Sequence, residues 1–298
     1  MMEGMASPPV SPSPTSSPAP EPVRRTVTPA RAQVWRAGKV IRRPERLATE
    51  EPMEIRASGP GQEPASVAVT MRTPGHDFEL AVGFMVGEGL IAGRDEVASV
   101  RYCDLPPEEP QLYNVVSVFL TKPFDPGGAE RRFYTTSSCG ICGKASLDQV
   151  EVHCVAIPPS EPLPASVVVT LPDALRKAQR IFEQTGGLHA AGLFDRTGKV
   201  VAVREDVGRH NAVDKLVGRA LLAGELPLSD RVLMLSGRVS FELVQKAAVA
   251  GVPVICAVSA PSSLAVEAAD RLGLAVVGFV RGRGFNVYCH PERLDLDA

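Results

Sequence analysis

Val232-Leu-Met-Leu-Ser-Gly-Arg-Val-Ser240, Val254-Ile-Cys-Ala-Val-Ser-Ala-Pro-Ser-Ser263 and Ala275-Val-Val-Gly-Phe-Val-Arg-Gly-Arg-Gly284 follow one plan: a short, almost wholly apolar run, then hydroxyls, glycines or arginines. Apolar runs of this length read as strands covered on both faces. Phe241–Val249 and Leu264–Leu272 lie between them with helical spacing, so the stretch alternates strand and helix as an α/β domain does. Working back toward the N-terminus, a helix is expected over His210–Leu222. Strands are expected over Ala190–Phe194 and Val200–Arg204, joined by the turn Asp195-Arg-Thr-Gly198. Thr170 and Asp173 resemble a capping pair that opens a helix through Gln184.

Upstream, the prolines at 158, 159, 162 and 164 mark a linker. Ser66–Arg72 alternates as a strand does. Pro74-Gly-His-Asp77 then opens a helix with Asp77 as its cap and Leu80, Phe84 and Met85 as its apolar stripe. Further strands are expected at Ala98–Cys103, Asn114–Leu120 and Arg132–Thr135. Met1–Pro22 holds seven Pro and five Ser and almost nothing to bury, so it reads as disordered. Arg24–Arg46 reads as transitional, with Trp35 docking on the folded body. The expected division is a disordered tail over 1–35, an α+β region over 36–136, a dithiol loop and linker over 137–165, and an α/β domain over 166–298.

A chain of 298 residues that is 44% hydrophobic can bury one large core or two modest ones. A net charge of −2 argues against nucleic acid or a membrane surface as partner, so any anion site must be a local cluster. No apolar run approaches the ~18 residues of a membrane span. The N-terminus lacks a basic region followed by an apolar one, so a cytoplasmic protein is expected. Six cysteines spread this thinly do not make a disulfide scaffold, and Cys103 and Cys256 are expected buried in strands.

Ligands of open α/β sheets bind outside the carboxyl ends of the strands. Ser236–Ser240, Ser259–Ser263 and Phe279–Gly284 should emerge there, with Arg238, Arg281 and Arg283 available for bidentate contacts to an anion. Ordinary turns, caps and solvated arginines would account for any one of these loops. Arg204-Glu-Asp-Val-Gly-Arg-His-Asn-Ala-Val-Asp-Lys215 crowds polar groups between a strand and a helix. Glu205, Asp206 and His210 there could do acid–base work or orient a ligand. A capped helix start with salt bridges explains the block as well. His189 and His76 read as structural.

Cys139-Gly-Ile-Cys142, between Ser137 and Lys144, places two thiols where they can share one bound species. Gly140 and Gly143 permit a tight, accessible loop, and Lys144 favours the thiolate. A structural zinc needs four ligands, but His153 and Cys154 are adjacent on an expected strand and face opposite sides. A zinc deaminase would carry H-x-E and then P-C-x-x-C, and neither is present. A thiol–disulfide redox pair usually opens a helix after a strand. A loop carrying a transferable sulfur fits the glycines and the thiolate bias best. Zinc binding and redox exchange remain the alternatives.

Taken together, several segments resemble the FdhD family of sulfur carrier proteins required for formate dehydrogenase activity. They are Glu51-Pro-Met-Glu-Ile-Arg56, Arg72-Thr-Pro-Gly-His-Asp-Phe-Glu-Leu-Ala-Val-Gly-Phe84, Ser138-Cys-Gly-Ile-Cys-Gly143, Gly187-Leu-His-Ala-Ala191, Arg204-Glu-Asp-Val-Gly-Arg-His-Asn211, Leu235-Ser-Gly-Arg238 and Gly278-Phe-Val-Arg-Gly282. The likeness runs from about Glu50 to the end. It implies a cytidine-deaminase-like layered α/β domain without deaminase zinc chemistry or any tightly bound metal. It also implies sulfur taken from an IscS-type cysteine desulfurase and handed to the molybdenum cofactor before insertion into formate dehydrogenase. Cys139 is then the persulfide-bearing residue, with Cys142 assisting release. Phe279, Val280, Arg281, Gly282, Arg283 and Gly284 match the stretch that binds the cargo, Mo-bis-molybdopterin guanine dinucleotide, whose pyrophosphate suits the arginines. A homodimer is implied, with neither nucleic acid nor membrane as partner.

Overall fold

A computed structural model describes residues 21–103, 110–125 and 156–298. The chain begins with a hairpin of β1 (Val27–Arg36) and β2 (Lys39–Ala48), followed by β3 (Glu51–Ser58) and β4 (Ala65–Arg72). Helix α1 (Asp77–Gly87), β5 (Val97–Tyr102) and β6 (Val115–Leu120) complete the first region. Then come β7 (Leu163–Pro164), α2 (Ala165–Val168), α3 (Leu171–Ala178), α4 (Arg180–Thr185), β8 (His189–Phe194) and β9 (Val200–Asp206). The rest is α5 (Arg209–Leu222), β10 (Val232–Leu235), α6 (Phe241–Val249), β11 (Val254–Ala257), α7 (Ser263–Leu272), β12 (Ala275–Arg281), β13 (Gly284–Cys289) and β14 (Leu294–Asp295).

The six-stranded sheet has the order β13-β12-β11-β10-β8-β9. Only β10, β11 and β12 run parallel; β8, β9 and β13 are antiparallel to their neighbours. Both faces are covered, and the strands divide their side chains between them. Leu233, Leu235, Ile255, Ala257 and Val276 join the core beneath α5, α6 and α7. Val232, Met234, Val254, Cys256 and Val277 pack on the other face with Leu171 and Leu175 of α3. This two-sided burial is why these strands read as unbroken apolar runs.

A four-stranded sheet, β4-β3-β6-β5, lies beyond the helices. Its Met53, Ile55, Val116 and Val118 belong to the same apolar cluster as Leu233 and Ile255, so one core runs through both regions. Helix α1 is buried around most of its circumference, between this sheet and α5, which explains why its sequence lacks a polar face. The approach to α5 is close and reciprocal. A Cβ on Gly83 would collide with the Asp214 carbonyl of α5, and one on Gly218 with the Glu79 carbonyl of α1.

Buried ions lock the same junction. Arg72 donates to both Asp77 oxygens, at 3.1 and 2.8 Å. Lys215 Nζ lies 2.7 Å from Asp206 Oδ2 and 2.9 Å from the Thr73 carbonyl oxygen. Thr73 N–H donates to the same Asp206 oxygen at 3.1 Å. The Arg72–Asp77 corner is thus gripped by the Arg204–Lys215 block.

The structure corrects several expectations. Asp77 does not cap α1: the Glu21 carboxylate accepts from the Asp77 and Phe78 N–H groups at 3.0 and 2.7 Å, and Asp77 instead pairs with Arg72. The helix expected through Gln184 breaks at Gln179, where Glu205 caps α4 by accepting from Ile181 and Phe182 N–H. Thr170 is no cap either, because its hydroxyl donates to the Val167 carbonyl at 2.7 Å. The stretch read as transitional holds the β1–β2 hairpin, so a tail ending at 35 falls inside a strand. Its turn uses Ala37 and Gly38 at φ 48° and 81°, as tight hairpins do. Trp35 is 69% exposed rather than docked. Cys256 is buried and its thiol is pushed up to about 12 by desolvation, whereas Cys103 is only half-buried and lies just past β5. The strand expected at Arg132–Thr135 lies outside the described residues. No helix among the described residues is long and apolar enough to cross a membrane.

Gly218→Ala should therefore destabilise the protein by about 1–3 kcal/mol, since a backbone carbonyl cannot yield to the new methyl. Gly284→Ala, where a Cβ meets nothing within 4 Å, should be near neutral. Urea unfolding of the two variants makes the comparison. Lys215→Met should cost about 3–5 kcal/mol by stranding the buried Asp206 carboxylate, and Lys215→Met with Asp206→Leu should recover much of that loss. A loss in the double variant equal to the sum of the Lys215→Met and Asp206→Leu losses would show that the pair is not coupled.

Candidate functional site

Because β10, β11 and β12 are parallel neighbours, their carboxyl ends lie side by side, and the three loops expected to follow them emerge on one edge. Backbone hydrogen bonds tie the loops together. Val239 N–H donates to the Ala260 carbonyl at 3.2 Å, and Ser262 N–H to the Val239 carbonyl at 3.0 Å. Phe279 N–H donates to the Ser259 carbonyl at 3.2 Å. Antiparallel β8 begins on the same edge. There Ser236 Oγ accepts from Ala190 N–H at 2.8 Å, and Ser236 N–H donates to the Ala190 carbonyl at 3.0 Å. The edge is thus one continuous shelf from the start of β8 to the end of β12.

At the β12 end, residues Phe279–Gly284 form the tip of a hairpin. Arg281 pairs with Gly284, leaving Gly282 and Arg283 as a two-residue turn, with Gly282 at φ 61°. Phe279 holds φ 54°, rare for an aromatic residue, at an irregularity in the β12–β13 register. A shallow concavity of about 560 Å³ opens here, lined by Phe279, Arg281, Gly284, Phe285 and Asn286. The Arg281 guanidinium sits 5.3 Å from the centre of the Phe279 ring. Of the predicted residues, Phe279, Arg281 and Gly284 line the concavity, while Gly282 and Arg283 form the exposed turn beside it. Val280 is buried in the core, so it offers a ligand no side chain. Phe285 and Asn286 were missed; the alternating Gly284-Phe-Asn-Val-Tyr-Cys289 was the available signal for the β13 strand that carries them.

These groups suit a planar heterocycle with an anionic tail. Two aromatic side chains supply flat apolar surface, Asn286 supplies a paired donor and acceptor, and Arg281 supplies a cation. Besides Ser236, two further hydroxyls on the shelf are engaged. Ser262 Oγ caps α7 by accepting from Ala265 N–H at 3.2 Å. Ser240 Oγ lies 3.0 Å from His210 Nε2.

The Arg204–Lys215 block divides between two tasks. Glu205 caps α4, Asp206 pairs with Lys215, and Arg204 grips Glu79 through two hydrogen bonds, so these groups hold the fold. His210 instead reaches the shelf, where its Nε2 lies 2.9 Å from Glu242; this hydrogen bond holds the Glu242 carboxyl below its ordinary range. His189, half-buried beside Gly237, is pulled down by burial and then by the Arg209 and His210 charges. His76 is an exposed residue before α1, 3.4 Å from Glu79. Cys139 and Cys142, with Lys144, His153 and Cys154, lie outside the described residues. Among the described residues, no group of three or more His, Cys, Asp or Glu could hold a metal ion.

The sequence profile of the FdhD/NarQ family matches residues 48–295. A protein named sulfur carrier protein FdhD from Streptomyces avermitilis is 52% identical over 273 residues, covering 88% of this chain and 94% of the relative. A protein of the same name from Mycobacterium tuberculosis is 50% identical over 266 residues, covering 87% and 95%. Among solved structures, a protein from Desulfotalea psychrophila described as a formate dehydrogenase accessory protein superposes with a TM-score of 0.69 at 25% identity, covering 91% of this chain and all of that one. With the profile covering most of its length and relatives at half identity along it, this chain belongs to the FdhD/NarQ family.

Proposed function

We propose that this protein is a sulfur carrier that serves formate dehydrogenase, working as a sulfurtransferase through Cys139. The observation that carries the reading is the combination of the Cys139-x-x-Cys142 dithiol with an aromatic and cationic concavity at the carboxyl edge of the sheet, in a chain whose relatives bear the sulfur carrier name. The reading extends to a cytoplasmic homodimer with the layering of a cytidine deaminase.

The chemistry balances without an external oxidant. The Cys139 thiolate attacks the outer sulfur of a persulfide on an IscS-type cysteine desulfurase, and the desulfurase cysteine leaves as its thiolate. Cys139 then carries the sulfur as a persulfide. For delivery, the Cys142 thiolate attacks Cys139 Sγ, the Cys139–Cys142 disulfide forms, and hydrosulfide leaves toward the cargo. A thiol reductant must reopen the disulfide before the next cycle. Lys144, two residues beyond Cys142, favours the thiolate in each step.

The cargo in this reading is Mo-bis-molybdopterin guanine dinucleotide, a substrate rather than a resident cofactor. Phe279 and Phe285 would take a flat ring, Asn286 its polar edge, and Arg281 with Arg283 the pyrophosphate. Val280 contributes the shape of the loop alone. A zinc site or a general redox pair built on Cys139 and Cys142 would leave this concavity without a role.

Incubation with a cysteine desulfurase and cysteine should add one sulfur atom to the peptide bearing Cys139, removable by reductant, as read by mass spectrometry. A stoichiometric metal adduct with no added sulfur would support the zinc alternative. Cys139→Ala should abolish both the added sulfur and the maturation of formate dehydrogenase, and normal maturation in that variant would refute the carrier role. Arg281→Ala should weaken GDP binding about tenfold by calorimetry, the loss of one charge-assisted contact.

A further inference from the structure

The β1–β2 hairpin is a sheet of its own, paired from Val27 with Ala48 to Arg36 with Lys39 without a register shift. Ten residues in each strand at ~3.4 Å apiece make an arm about 34 Å long. Its root is tied to the body. Arg46 Nη1 donates to Gln184 Oε1 of α4 at 3.1 Å, and a Cβ on Gly187 would stand 3.6 Å from Ala48 Cβ. Paired residues of an antiparallel ladder share one face with the residues two positions away. One face of the arm therefore holds Arg31, Gln33 and Trp35 opposite Pro44, Arg42 and Val40. All six are exposed, Trp35 by 69% and Val40 by 61%.

Two strands alone are marginally stable, and the chain's only tryptophan, paired with a valine on an open face, is apolar surface that a covering partner would remove from water. The charge is equally one-sided. Between Val27 and Ala48, six cations (Arg31, Arg36, Lys39, Arg42, Arg43 and Arg46) stand against Glu45, which gives the arm +5 in a chain of net charge −2. Glu45 lies on the other face and is taken by Arg43 at 2.8 Å, so the Trp35 face carries arginines and no carboxylate. Charges along an edge strand deter strand addition, but they give no reason for an exposed Trp–Val pair. Tryptophan and arginine are the side chains that most often dominate protein–protein interfaces. Val40 beside Trp35 adds aliphatic surface, which suits a protein side chain rather than a stacked base.

We propose that the Trp35 face of this arm docks an acidic, apolar-centred surface of the formate dehydrogenase apoprotein while the cargo passes to it. The inference rests on the carrier reading, in which the cargo leaves from the shelf. The root of the arm adjoins that shelf: Gly187, against Ala48, stands two residues before His189, which opens β8 there. A protein gripped along the arm is held beside the shelf, and the arm raises its effective concentration at the point of transfer. The arginines steer an acidic partner and set its orientation, and the Trp35–Val40 pair supplies the desolvated centre of the contact.

Calorimetry of the full-length protein with purified formate dehydrogenase lacking its cofactor tests this. Trp35→Ala and Arg42→Glu, both on the open face, should keep the wild-type melting curve and weaken binding about thirtyfold and about tenfold. Leu47→Ala, on the other face and 51% exposed, should bind as the wild type does. Desulfurase-dependent addition of sulfur to Cys139 should be the same in all three. Should one open-face variant fail to fold, the other carries the comparison. Wild-type affinity in both open-face variants would overturn the docking, as would an equal loss in Leu47→Ala. No binding to a wild type that still gains sulfur on Cys139 would overturn it too, and in each of these cases the carrier reading stands. Neither binding nor added sulfur would overturn both. With formate dehydrogenase binding intact in the open-face variants, a loss of sulfur addition would give the arm to the desulfurase, a dimer-to-monomer change would give it to a second copy, and weaker binding of a DNA oligomer would give it to nucleic acid; each overturns the docking.

Discussion

The crossing of α1 and α5 at Gly83 and Gly218 is the contact on which the rest of the molecule depends. Each glycine faces a backbone carbonyl of the other helix where a methyl group would not fit. Two helices that meet without intervening side chains can share the narrow space between two sheets. The four-stranded sheet can then sit close enough for Met53, Ile55 and Val118 to enter one core with Leu233 and Ile255. Spread the helices and that core divides. Interiors at this density transmit such strain rather than absorb it.

Apolar packing alone does not select one register for this junction, because burial has no direction. The buried ions supply direction. Asp206 accepts from Thr73 N–H and from Lys215, and Lys215 also donates to the Thr73 carbonyl, so both polar groups of one peptide are read from across the interface. Asn211 adds a hydrogen bond to the Met71 carbonyl at 2.8 Å. Lys246 lies 2.7 Å from Asp214 deeper in the same layer. Pairing of this kind offsets the desolvation of each charge without adding much net stability. We read its role as specificity, holding the strand end that leads into α1 in one position against the β9–α5 turn.

That arrangement has a consequence at the sheet edge. Glu205, Asp206 and Arg204 are withdrawn into the fold, whereas His189, Arg209, Arg238 and Arg281 stand along the shelf with Glu242, whose carboxylate is engaged by His210. A chain of net charge −2 thereby presents an edge short of negative charge. Cys256 and Cys289 are both buried, and desolvation raises their thiols, so they are poor nucleophiles.

The strands and helices from β8 to β12 were legible in the sequence because two-sided burial writes itself as apolar runs and the loops between them hold glycine and serine. The dithiol and the Phe279–Gly284 loop were legible as motifs. The β1–β2 hairpin was hidden because its strands are mostly exposed and only the short run Ala30-Arg-Ala-Gln-Val34 alternates. Nor could the sequence settle whether Glu205 and Asp206 act on a ligand or hold the fold, since a carboxylate beside a helix start serves either purpose. Their partners settled it, and those partners lie far away in the chain: Ile181 and Phe182 for one, Thr73 for the other. The same holds for His189 and Arg209, which come near each other because β8 and α5 both begin on one edge of the sheet, where His189 pairs with Asp206. What the sequence determined by itself is the alternation of elements and the residue types at their ends, which depend on neighbours a few positions away. What only the tertiary structure decided is which of those polar groups are satisfied by the fold, because that depends on contacts between residues 23 to 142 positions apart.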